Sequence, residues 1–115
     1  MSNTDDHRRR ERAEPAGNIA VLDSINGGVL GELINISVDG LMLMTAREIA
    51  TQSILQLSLQ LPAPLLGSGT IELGADCLWC RKAEDQQHYW AGFQIIDASD
   101  EAVRQIETLI QQHAR

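Results

Sequence analysis

Two clusters of side chains in this 115-residue chain have the chemistry to hold a charged ligand. The first is Arg8-Arg9-Arg10-Glu11-Arg12, the one concentrated positive spot in a chain of net charge −7. Its four arginines stand against Asp5, Asp6 and Glu11, so residues 1–12 carry +1 and the remainder −8. A nucleic-acid surface needs a broad basic face, and this distribution argues against one. A local cationic spot suits a small anion instead. The second cluster is Asn35-Ile36-Ser37-Val38-Asp39-Gly40. Polar residues at 35, 37 and 39 alternate with Ile36 and Val38, which is strand periodicity and puts Asn35 and Ser37 on one face as an amide–hydroxyl platform. Gly40 interrupts the pattern before Leu41-Met42-Leu43-Met44, marking a bend or a close approach to the backbone. Singly, these clusters read as a solvated arm and a turn between strands. Their coincidence in one chain points to a site.

Other reactive residues carry less. In Cys77-Leu78-Trp79-Cys80 the two thiols lie at positions i and i+3 of a strand candidate and should face opposite sides, so they do not converge on a metal. Two cysteines make no disulfide framework. His7, His88 and His113 are scattered, and no nucleophile–His–acid set falls on one surface, so catalysis is not expected. Trp79 reads either as a core residue or, if Leu78 and Cys80 face inward, as an outward ring. Trp90 reads as packing or surface, and Arg81 and Lys82 as a solvated strand end.

The elements that must position these groups follow from composition and pattern. Apolar residues make up 43% of the chain but aromatics only 3%, so a single modest core must be aliphatic. No apolar run approaches the roughly 20 residues of a membrane span. The first residues have no apolar segment behind their basic side chains, so no signal peptide is expected, and the cytoplasm is the expected compartment. Residues 1–17 read as a flexible N-terminal arm carrying the arginines, and 18–115 as one folded unit. Ile19 to Leu22 is a short apolar run, and Asn26-Gly27 is a hairpin signal. Strands are expected over Val29–Ile36, Leu41–Thr45, Ser53–Leu61, Thr70–Arg81 and Tyr89–Ile96. Leu55, Leu57, Leu59 and Leu61 share the buried face of one of them. Pro62-Ala63-Pro64 should stop that strand, leaving Leu65–Gly69 as loop, and Gly74 suggests a bulge. Ser99 reads as an N-cap, with Val103, Ile106, Leu109 and Ile110 on one helical face. The expected fold is mainly β: a six-stranded antiparallel barrel with a C-terminal α-helix.

The pair Arg8-x-x-x-Arg12 and Asn35-x-Ser37-x-x-Gly40, with Gly92-Phe93 late in the last strand and the closing helix, resembles the PilZ domains. These are bacterial receptors for the second messenger cyclic di-GMP. The resemblance covers essentially the whole chain. It implies a ligand bound where the N-terminal arm crosses the barrel surface. Arg8 and Arg12 would grip phosphate oxygens or a guanine edge with paired hydrogen bonds, which lysine cannot imitate, and Arg9 would assist. Asn35 and Ser37 would meet the ligand from the barrel side, Gly40 would leave it room, and Trp79 would stack on guanine. No cofactor is implied beyond the nucleotide, and the message would pass to a protein effector. Two other classes remain open on the residues: a nucleotide-independent adaptor, and a small barrel binding RNA or DNA, which the −8 body disfavours.

Overall fold

The computed structural model describes residues 19–113. The arginine-bearing arm therefore lies outside the described residues. Six strands follow in order: β1 (Ala20–Asp23), β2 (Val29–Ile36), β3 (Gly40–Thr45), β4 (Ile54–Leu65), β5 (Ser68–Lys82) and β6 (Tyr89–Asp97), and then helix α1 (Asp100–His113). All pairings are antiparallel and the sheet closes on itself in the order β1-β2-β3-β6-β5-β4. Closure removes the exposed strand edges that an open sheet of this size would present. Inside, Val21, Ile36, Leu43, Leu57, Leu59, Ile71, Ala75, Cys77 and Ala91 are all fully buried, with Phe93 beside them. The core is aliphatic, as the composition requires.

β2 occupies the expected residues, and the other strands fall within a few residues of expectation except at one place. Pro62-Ala63-Pro64 does not stop β4, which runs on to Leu65. The β4–β5 register jumps from Gln60 opposite Thr70 to Leu65 opposite Ser68. Leu61–Pro64 thus bulge out of the ladder, where prolines cost no hydrogen bond. The expected loop is then a two-residue hairpin, Leu66-Gly67, with both residues at positive φ (53° and 85°). Gly74 does mark a bulge, in the β5–β6 ladder.

The first hairpin turn is wider than Asn26-Gly27 alone suggests. Asp23 N–H donates to Gly28 O (2.9 Å), Gly27 N–H donates to Asp23 O (2.7 Å), and Gly27 takes φ +84°. The buried Asp23 carboxylate accepts the Ile25 and Asn26 amides (3.0 and 3.1 Å) and the Asn26 side-chain amide (2.9 Å). Asn26, through its backbone and then its side chain, holds the Asp23 carboxyl below its ordinary value. A depressed folded value means stability present above the ordinary aspartate range and lost as pH falls through the folded value. Asp23→Ala should therefore lower the melting temperature at pH 7, and the gap from wild type should narrow as the pH is taken below about 3.8. A gap unchanged by acid would show that the carboxylate's charge plays no part.

Ser99 caps α1 through its Oγ, which accepts the Ala102 amide (3.0 Å). The buried face is Ala102, Gln105, Ile106, Leu109 and Ile110, with Val103 only half-buried. Gln105 is the member that hydropathy does not find. Its Nε2 donates to Leu65 O (3.2 Å) and Thr70 O (3.0 Å), tying the helix to carbonyls flanking the β4–β5 hairpin. No helix of the described residues is long and apolar enough to cross a membrane.

Candidate ligand site on the barrel wall

β2 ends at Ile36, so the alternation over 35–39 is the end of a strand followed by a tight corner rather than continuous strand. Ser37 builds that corner. Its amide donates to Gly40 O (2.8 Å), and its Oγ accepts the Asp39 and Gly40 amides (3.3 Å each). The side chain is 1% exposed, so it shapes the turn from within rather than standing beside Asn35 on one open face. Asp39 O accepts the Ile95 amide (2.8 Å), which ties the corner to β6. Gly40 is buried, and a Cβ there would collide with the Phe93 carbonyl of β6. The glycine is thus required by the approach of a neighbouring strand.

Asn35, half-buried opposite Met42, lines a depression of about 300 Å³ together with Met42, Leu78, Trp79 and Gly92. Trp79 reaches it because β5 carries one extra residue. Cys77 pairs with Phe93 and Trp79 with Gly92, leaving Leu78 bulged between them. Leu78 (53% exposed) and Trp79 (39%) therefore both face out. Trp79 is outward, but the premise of a buried Leu78 fails, because the bulge breaks the alternation on which it rests. The same bulge returns Cys80 to the side of Cys77. Cys77 is fully buried, and Cys80 packs against the core with its Sγ accepting the Ile49 amide (3.4 Å). The expectation of opposite faces is corrected accordingly. Burial, with Cys80 adding, pushes the Cys77 thiol above its ordinary value, so it is no ready nucleophile. Among the described residues no group of three or more His, Cys, Asp or Glu is arranged for a metal.

Gly92 provides the seat for the tryptophan: the indole fills the space where a side chain at 92 would stand. Above the ring lies the Arg81 guanidinium, its Cζ 5.6 Å from the centroid. Arg81 is the residue here that sequence reading passed over as a solvated strand end. The signal that could have found it is its i+2 spacing from Trp79, which puts both on one face. A second depression of about 530 Å³, lined by Val38, Asp39, Gly40 and Gln94, shares Leu78 and Phe93 with the first. The two form one surface running from Asn35 past Trp79 to the Ser37–Gly40 corner. By contrast, the apolar cleft between α1 and the proline bulge holds only about 110 Å³, below the usual size of a ligand pocket. Arg8, Arg9 and Arg12 lie outside the described residues. The first described residue after them, Ile19, has its carbonyl bonded to the Leu33 amide (2.9 Å), so the chain enters the barrel two residues along β2 from Asn35.

A closed barrel of six antiparallel strands, with a serine-braced corner after the second strand and a helix after the sixth, is the architecture of a PilZ domain. The PilZ domain family matches this chain over residues 6–112, a span that includes both arginine and corner motifs, and the chain belongs to that family. Domains of this family are receptor or adaptor modules rather than catalysts. Among solved structures, it is similar to the Bacillus subtilis inhibitor of motility MotI/DgrA (14% identity, TM-score 0.69), covering 91% of this chain and 50% of that one. It is also similar to the PilZ domain of Escherichia coli YcgR with c-di-GMP (14% identity, TM-score 0.66; 92% and 90% covered). A third is Borreliella burgdorferi PlzA in complex with c-di-GMP (12% identity, TM-score 0.58; 96% and 55% covered). At these identities the likeness is one of fold, and the chain spans half the length of the Bacillus protein. No curated protein matches the chain by sequence.

Proposed function

We propose that this protein is a cyclic di-GMP receptor that changes conformation on binding and passes the signal to a partner protein. The observation that carries the reading is the convergence of Asn35, Trp79 and the Ser37–Gly40 corner on one surface beside the point where the arginine arm joins the barrel. Arg12 precedes Ile19 by seven residues, a reach of up to about 24 Å for extended chain. Arg8 has four residues more. Both arginines can therefore reach the Asn35–Trp79 surface. In this reading Arg8, Arg9 and Arg12 hold the phosphates and guanine edges, Asn35 meets the ligand from the barrel, and Trp79 stacks on a guanine. Ser37 and Gly40 act by fixing the corner rather than by lying open to the nucleotide. A leader drawn down over the barrel by its ligand presents a changed surface, which is the form in which the message reaches an effector.

Titrating isotope-labelled protein with cyclic di-GMP tests the placement. Amide shifts are expected at Asn35, at Gly40 and in the leader, with a shift of the Trp79 indole N–H. Shifts confined to α1 and the proline bulge would overturn it.

A further inference from the structure

The barrel itself lacks positive charge where a dianionic ligand would sit. Residues 19–113 hold four cations, Arg47, Arg81, Lys82 and Arg104, against twelve carboxylates. None of the residues lining the two joined depressions is cationic, and Asp39 adds a negative charge. Arg81 is placed to offset this. It leaves β5 opposite Trp90, two residues beyond Trp79, and its guanidinium stands over the Trp79 ring. The separation of 5.6 Å is that of a cation–π contact, which holds the charge at the rim of the depression before any ligand enters. It also covers the face on which a base would stack.

We infer that Arg81 is a third kind of anion contact for the bound cyclic dinucleotide, supplied by the barrel rather than by the leader. This rests on the receptor reading above. As a guanine settles against Trp79, the guanidinium gives up the indole and turns its paired N–H donors onto the adjoining phosphodiester. The exchange costs little, because a cation–π contact at an exposed site is weak. What it gains is a charge-assisted hydrogen bond over a body that otherwise repels the ligand. Arg81 thus does two jobs in turn: it keeps the aromatic face covered in the free protein and neutralises a phosphate in the complex.

The test is calorimetric titration of the full chain with cyclic di-GMP at low and high salt, for wild type, Arg81→Ala, Arg81→Gln and Arg81→Lys. Arg81 is exposed, so melting temperatures should stay near wild type. Both neutral variants are expected to bind roughly tenfold more weakly at low salt. That gap should narrow as salt screens the charge, and lysine should restore part of it. Neutral variants that bind within about twofold of wild type would overturn the role of Arg81 and leave the receptor reading standing, since a merely structural Arg–Trp contact moves stability and not affinity. A wild-type protein that gives no heat would instead overturn the receptor reading itself.

Discussion

Replacing Arg8 or Arg12 by alanine should weaken cyclic di-GMP binding by about 2 kcal/mol or more in each case, roughly thirtyfold. The melting temperature should not move with it. Each change strips a fork of charge-assisted donors from a ligand with two phosphodiesters, and the −8 body has little to put in its place. Lysine at either position should recover only part of the loss, because a point charge does not reproduce paired, planar donation. The measurement is a titration of each variant beside a thermal melt. Unchanged affinity in both alanine variants would make the leader a bystander.

The second large effect is expected at Gly40. A valine there drives its side chain into the Phe93 carbonyl, and no rotamer relieves a clash that begins at Cβ. The β3–β6 ladder must part at its rim, where Gly40 faces Gln94 and Leu41 faces Phe93. Overpacking of this kind costs typically 1–3 kcal/mol, and a clash with backbone belongs at about 3. Chemical denaturation should show that loss, and nucleotide binding should fall with it as the Ser37 corner is displaced. Stability within about 0.5 kcal/mol of wild type would mean that the strands yield freely and that the glycine serves something else.

What could be read from the sequence was what depends on neighbours in the chain. The limits of β2, the Ser99 cap and the aliphatic face of β4 all follow from local pattern. What could not be read depends on how distant strands count against each other. Nothing in Cys77–Cys80 reveals that β5 has one residue more than β6 at that level, yet this single excess turns Leu78 outward and brings the two cysteines to one side. The same holds for Pro62 and Pro64, which end a strand by local rules but are carried in β4 by a slip of register against β5. Gly40 was noticed for its type, while its reason, the Phe93 carbonyl, lies more than fifty residues away. Gln105 carries no apolar signal, and its burial depends on the carbonyls of Leu65 and Thr70 beside it. Of the site itself, the two motifs were legible as chemistry. The seat of Trp79 on Gly92 and the guanidinium of Arg81 above it required the fold.

The most direct test of the account is isothermal titration of the intact protein with cyclic di-GMP at tens of micromolar. Saturable heat, lost when Arg8 and Arg12 are both replaced by alanine, is the predicted result. No heat from well-folded wild-type protein, or heat that survives loss of both arginines undiminished, would contradict it.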